Sequence, residues 1–194
     1  MKVLVACEYS GRVRDSFIDK GHDAISCDLE PTDRTGPHYQ GDLFDILYKK
    51  KWDLLIAFPP CTYLCQSGVR WLHEKPKRWK RMRKATVFFN KILEAPVPKI
   101  AIENPVMHGY ARESIRKYDF SIHPWQFGDN YTKRTCFWVK NLPVLNSTVN
   151  SYGKTANKLL IRDGPKGKGR SITPWGLARA MAEQWGNNVP SLWN

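Results

Sequence analysis

Two short segments carry side chains that could do covalent chemistry together. Phe58-Pro59-Pro60-Cys61 follows the apolar run Leu54-Leu55-Ile56-Ala57, and Ile102-Glu103-Asn104-Pro105 closes the next apolar run. A cysteine directly after two prolines sits on stiff backbone. A thiol beside a carboxyl is a nucleophile with an acid or base at hand. Alone, the first segment reads equally as a buried cysteine and the second as a turn; together, at the ends of adjacent strands, they point to a site. A second set lies nearer the start of the chain: Glu8-Tyr9-Ser10-Gly11 after the first apolar run, Asp28 after the second, and Asp42 just before a short helical stretch. A glycine turn into a helix lets a ligand approach the backbone, and carboxylates can accept from ribose hydroxyls or an adenine amino group. The set describes a nucleoside site of the kind that holds S-adenosylmethionine (SAM) or a dinucleotide, and the absence of GxGxxG counts against the dinucleotide. Each acid alone could equally be a helix cap.

These residues need a scaffold that gathers strand ends. KVLVAC, DAISCDLEP, WDLLIAFPP and PKIAIENPV read as buried strands. Between them RVRDSFIDKGH reads as a helix with Val13, Phe17 and Ile18 on one face and Gly21 as its C-cap, and GDLFDILYKK as a shorter helix. KPKRWKRMRKATVFFNKILEA is a helix starting at Pro76, with Trp79, Met82, Val87, Phe89 and Leu93 as its apolar face. Residues 32–41, 61–73 and 164–170 read as loops, and KRTCFWVKNLPVL as a strand pair or hairpin. TPWGLARAMAEQWG is a helix with Thr173 as N-cap, Pro174 as first helical residue and Gly186 as C-cap. Alternation of strand and helix predicts an α/β fold with a doubly wound, mostly parallel sheet, whose ligands bind at the carboxyl ends of the strands.

The 194 residues, 42% hydrophobic and 25% charged, fit one α/β domain over 1–194. No apolar run reaches membrane-spanning length, and the opening MKVLVACEYSG turns polar too early for a secretory signal, so a cytoplasmic protein is expected. Five cysteines, with no CxxC pair and no histidine at zinc-ligand spacing, predict free thiols and no metal site. The net charge of +13 is uneven: residues 1–74 carry 9 basic and 11 acidic residues, while residues 75–194 carry 22 basic and 7 acidic. Such asymmetry predicts one face for a small molecule and another for a nucleic acid. Lys75, Lys77, Arg78, Lys80, Arg81, Arg83 and Lys84 crowd one ten-residue stretch just after the Cys61 loop, and Lys166, Lys168 and Arg170 offer further phosphate contacts. Trp71 could stack on an unpaired base, whereas Trp79 reads as core beside Met82.

The Pro-Pro-Cys and Glu-Asn-Pro segments, preceded by acids of a nucleoside site, resemble the C5-cytosine DNA methyltransferases. FPPCTYLCQSG resembles that family's catalytic loop and AIENP its Glu-Asn segment; YTKRTCFWV weakly resembles its arginine strand, and SITPWGLARAMAEQW its closing helix. The resemblance implies a class I SAM-dependent methyltransferase fold of Rossmann-like type. It implies Cys61 as nucleophile on cytosine C6, Glu103 against the cytosine edge and Arg134 holding the base. It places Tyr9, Ser10, Gly11, Asp28, Asp42 and Pro59 at SAM. To act, the Cys61 thiol should have a pKa lowered by positive charge or a helix start. Only residues 141–170, short and basic, replace the family's target-recognition region, which implies weak sequence preference, a protein partner that supplies specificity, or single-stranded DNA as substrate. Two other readings stay open: nucleic-acid binding on this fold without turnover, and an enzyme acting on pyrimidine C5 in RNA or with a modified SAM.

Overall fold

The computed structural model describes residues 1–149, 161–162, 165 and 167–187. In chain order its elements are β1 (Lys2–Ala6), α1 (Arg12–Asp19), β2 (Asp23–Asp28), β3 (His38–Gln40), α2 (Leu43–Leu47), β4 (Leu54–Ala57), α3 (Arg70–Glu74), α4 (Lys77–Leu93), β5 (Lys99–Pro105), α5 (Gly109–Arg112), β6 (Phe120–Ile122), β7 (Tyr131–Thr132), β8 (Thr135–Lys140), β9 (Ile161–Arg162) and α6 (Trp175–Gly186). Seven strands form one sheet in the order β3-β2-β1-β4-β5-β8-β6. The first five run parallel, and β8 lies antiparallel between β5 and β6. The expected doubly wound, mostly parallel sheet is therefore present.

The central strands are apolar throughout because both faces are covered. All four residues of β4 are buried, and each such Leu or Ile contributes roughly 1.5–3 kcal/mol. One layer sets α2 and α4 against Leu4, Leu55 and Ile100 through Leu43, Phe89 and Ile92. The other sets α1 and α6 against Val3, Val5 and Ile56 through Val13, Phe17, Leu177 and Met181. Gly176 is required where α6 begins, since a Cβ there would lie 1.8 Å from the Phe127 carbonyl oxygen.

Several local expectations change. Residues 38–40 are not loop but an edge strand, joined to β2 by backbone pairing and a 2.8 Å contact between Ser26 Oγ and His38 Nδ1. Residues 61–73 contain a 3-10 turn at Gln66–Gly68 and most of α3. The KRTCFWVK segment is not half of a local hairpin: its partners are β5 and the earlier strand β6. Pro174, with ψ 146°, caps α6, so the helix starts one residue later than expected, and Gly186 is its last residue. Ile18 and Val87 face solvent.

Arg14, read in sequence as one charge among many in α1, is instead fully buried. Its guanidinium donates to the carbonyls of Arg34 and Thr35 and to Ser26 Oγ, and it pairs with Asp15 at 2.7 Å. A buried charge survives only with such a full set of acceptors. Here they fix residues 32–37 onto α1. Gly11, at φ 71°, leaves room for this side chain: a Cβ would sit 2.5 Å from Arg14 Nη2.

Candidate active site

The loop after β4 is stitched to the segment after β5. Asn104 Nδ2 donates to the Pro59 carbonyl at 2.8 Å, and Gln66 N donates to the Val106 carbonyl at 2.9 Å. His108 N donates to the Leu64 carbonyl, while its Nε2 lies 3.0 Å from the Tyr63 carbonyl oxygen. Cys61 is thus held on a loop with both ends fastened to the strand that carries Glu103. Cys61, Glu103 and Lys133 line one narrow pocket of about 100 Å³, as the adjacent-strand reading required. Asn104, read in sequence only as a member of the Glu-Asn-Pro segment, and His108, not singled out there, are buried positioning residues.

The protonation of the loop thiols departs from expectation. Cys65 is the N-cap of the 3-10 turn. Its Sγ lies 3.2 Å from Ser67 Oγ. The neighbouring Cys61 thiol, then Ser67 and the amide of Gly68, favour the Cys65 thiolate and lower its pKa. Donation to Cys65, then burial, hold the Cys61 thiol above its ordinary value. The two thiols titrate as a pair at the start of this turn, so the helix-start effect expected for Cys61 acts on the pair.

Burial also raises the Glu103 carboxyl, and the Lys133 ammonium only partly offsets this. A carboxyl whose protonated form is favoured by burial can donate a hydrogen bond to a ring nitrogen. Lys133 Nζ donates to the Arg170 carbonyl at 2.8 Å, which fixes it at the pocket wall. Arg134 does not line this pocket. Its guanidinium turns outward to Tyr118 Oη at 2.7 Å and Ser121 Oγ at 3.4 Å. Of the two neighbouring basic residues, Lys133 is the one placed at the pocket.

A second cavity of about 410 Å³ adjoins the first across Pro59 and Pro60. Asp28 and Asp42 line it together with Leu43, Ala85 and Phe88. An apolar slot of this size with two carboxylates fits a nucleoside. Asp42 also caps α2, accepting Phe44 N at 2.8 Å, so the cap and ligand readings coexist. Asp28 accepts Glu30 N at 3.0 Å, and the SAM contact expected of it lends itself to a direct test. Asp28→Ala should weaken SAM binding by about tenfold or more, the scale of a hydrogen bond to a charged group; an unchanged titration-calorimetry affinity would remove Asp28 from that role.

Tyr9, Ser10 and Gly11 do not line this cavity. Glu8 accepts Val13 N at 3.0 Å and Ser10 Oγ at 2.8 Å, so the first turn of α1 is already occupied by the chain's own carboxylate. Tyr9 Oη lies 3.1 Å from Ser171 Oγ, beside the Cys61 pocket.

The basic stretch from Lys75 flanks the catalytic loop. Arg78 Nη2 donates to the Thr62 carbonyl at 3.1 Å, Arg81 Nη1 donates to Tyr63 Oη at 3.0 Å, and both guanidiniums lie over the Tyr63 ring. Lys75, Lys77, Lys80, Arg81, Arg83 and Lys84 are exposed. Trp71 lies between Arg70 and Lys75, 4.3 and 5.0 Å from its ring centroid. Trp79 is not core beside Met82; its half-buried ring packs on His73 and Tyr110. Arg170 lines the Cys61 pocket, Lys166 lies outside the described residues, and Lys168 is described only as backbone of the 3-10 turn Gly167–Ser171. Among the described residues no helix is long and apolar enough to cross a membrane, and no group of three or more His, Cys, Asp or Glu could hold a metal ion.

No family model and no curated protein sequence matches the chain. Several solved structures are similar in fold. An Escherichia coli protein described as a prophage-encoded DNA modification methyltransferase shares 14% identity at a TM-score of 0.46, over 72% of this chain and 46% of that one. The bifunctional kinase-methyltransferase WbdD shares 13% at 0.43, over 77% and 37%. An rRNA methylase from Escherichia coli shares 12% at 0.39, over 72% and 56%. The chain spans about half or less of the length of these structures, and likenesses so remote do not say what it acts on. The chain itself shows a doubly wound α/β fold with a mostly parallel sheet, in which β8 is inserted antiparallel beside the last parallel strand.

Proposed function

We propose that residues 1–194 form a SAM-dependent methyltransferase domain that methylates C5 of cytosine in DNA through a covalent bond from Cys61. The observation that carries this reading is the junction of two cavities: Cys61 and Glu103 line one, Asp28 and Asp42 the other, and Pro59 and Pro60 are shared. SAM, when held by the second cavity, supplies an electrophilic methyl group there. Cys61 Sγ, as thiolate, bonds to C6 of the base, the C5–C6 double-bond electrons pass into the ring as N3 takes the proton that Glu103 donates, and C5 becomes nucleophilic. Glu103 donates to N3 and accepts from the exocyclic amino group, which stabilises charge developing on the ring. After methyl transfer the C5 proton leaves to a base and the S–C6 bond breaks, releasing Cys61. The target base must leave its stack to reach the pocket, which is cheapest on a single strand. The short basic segment 141–170 supports weak sequence preference, with further specificity supplied by a protein partner.

The basic face of α4 supports nucleic acid as the substrate. Charge reversal at Arg78 and Arg81 should lower affinity for a 20-mer oligonucleotide and flatten its salt dependence, by about 0.7 in slope for each single-strand phosphate no longer neutralised. A slope equal to that of the unaltered chain would move the phosphate contacts elsewhere.

Nucleoside mass spectrometry after incubation with SAM and, separately, duplex DNA, single-stranded DNA and RNA tests the reaction itself, with Cys61→Ser as control. A Cys61-dependent gain of one methyl on deoxycytidine supports the reading; modification of RNA alone reassigns the substrate. The occupied start of α1 favours one second reading, nucleic-acid binding without turnover, and a chain that fails to bind SAM would establish it.

A further inference from the structure

Three arginines from separate parts of the chain converge on one indole. Arg12 at the start of α1, Arg34 in the 32–37 loop and Arg179 in α6 place their guanidinium carbons 5.3, 5.1 and 5.8 Å from the ring centroid of Trp175. Arg34 and Arg179 are exposed, whereas Arg12 and Trp175 are half-buried. The arrangement is built rather than incidental. The buried Arg14 guanidinium grips the carbonyls of Arg34 and Thr35, and Asp15 fixes Arg34 Nε at 2.6 Å. Arg12 Nη1 donates to the Thr173 carbonyl at 3.3 Å. Two carboxylates face the cluster: Asp15, already shared with Arg14, and Asp129, within electrostatic reach of Arg12. With Arg14 counted, four guanidiniums meet two carboxylates, so the patch keeps a positive excess that an anion can satisfy.

Its position relative to the Cys61 pocket identifies the anion. Thr173, Pro174 and Leu177, on either side of Trp175, line that pocket. The cluster stands on the α1–α6 layer, whereas Arg78 and Arg81 stand on the α4 layer, across the sheet. The pocket lies at the strand ends, lined on one side by the loop at residues 59–61, which Arg78 holds through Thr62, and on the other by the residues that lead into α6. A nucleotide inserted there would have one flanking phosphate toward each.

We propose that Arg12, Arg34, Arg179 and Trp175 form a second backbone-phosphate site that holds the nucleic-acid strand on the side of the target nucleotide opposite to α4. This rests on the reading of the substrate as a nucleic acid. The site contacts phosphate and sugar, so it adds affinity and fixes strand direction without reading sequence. The indole gives the neighbouring sugar or unstacked base a flat surface.

The test is fluorescence anisotropy with a labelled single-stranded 20-mer across a salt series, on the full chain. Arg34→Ala/Arg179→Ala should weaken binding about tenfold near 0.15 M salt, roughly half a decade for each phosphate released, and lower the salt slope by about 0.7 for each of them. Arg179→Ala alone, at an exposed position of α6, should show about half the effect and guards against disruption of the 32–37 loop. Melting temperature and SAM affinity should stay unchanged. A salt slope equal to that of the unaltered chain overturns the site. A loss of SAM affinity with the slope intact also overturns it, and assigns the arginines to the cofactor's carboxylate. Failure of the unaltered chain to bind any oligonucleotide overturns the nucleic-acid reading itself, and this site with it.

Discussion

Cys61→Ser is expected to lower methyl transfer by at least about 10³-fold while leaving SAM affinity nearly unchanged. The hydroxyl keeps the size of the thiol but is a far weaker nucleophile toward C6, and no other side chain lining the pocket is a thiol. Asp28 and Asp42 lie in the adjoining cavity, so the substitution does not reach them. A further consequence follows from the pairing within the loop. The Cys61 side chain is the largest influence holding Cys65 low, so Cys61→Ala, which leaves no donor there, should show the remaining Cys65 titrating at a higher pH. Single-turnover transfer of labelled methyl to an oligonucleotide measures the first effect, and alkylation rate against pH the second. Retained turnover in the serine variant would take Cys61 out of the mechanism altogether.

Glu103→Gln should move activity and stability in opposite directions. Glutamine can occupy the same space but cannot carry the proton, and loss of a positioned acid costs between about 10²- and 10⁴-fold in rate. Burial raises the Glu103 carboxyl in the folded chain. Its contribution to stability is therefore complete below the unfolded value near 4.5 and is lost as pH rises through the folded one. The glutamine variant escapes that loss, so it should melt higher than the unaltered chain near pH 8, and the gap should close toward pH 4. Activity of the unaltered chain should decline on the alkaline side as the same proton leaves. Melting curves and transfer rates at matched pH values check both, and a variant that loses activity and stability together would make Glu103 a packing residue rather than an acid.

The sheet was legible because its central strands are uninterrupted apolar runs bounded by turn residues, a pattern that burial on both faces imposes. The edge strand His38–Gln40 escaped because three polar residues at a sheet edge need no such run. The Cys61 and Glu103 segments were legible because strand ends with proline fix where a side chain can point. Lys133 was passed over for Arg134 because adjacent residues leaving a strand face opposite ways, and spacing alone does not say which one turns inward. The positioning role of Asn104, read in sequence only as part of the Glu-Asn-Pro segment, was missed, as was His108 altogether, because their partners are main-chain carbonyls, which every residue possesses. The start of α1 misled for a related reason: a glycine turn looks open in sequence whether or not a neighbouring carboxylate has filled it. The cue for Cys65 was available in the short spacing Cys65-Gln66-Ser67-Gly68, which sets a sulfur at the start of a tight turn.

The packing of α6 against α1 bears on how the molecule comes to exist. β1 precedes α6 by about 170 residues yet lies inside the sheet, and the apolar sides of Val3, Val5, Val13 and Phe17 meet Leu177, Met181 and Trp185 from α6. While the ribosome is still adding the intervening residues, that half of the core stays wet. Contacts between such distant parts of a chain form late and slowly, and the waiting surface is open to aggregation. Until α6 has docked, this face of the sheet remains a surface that a chaperone shielding apolar strands and helices could cover.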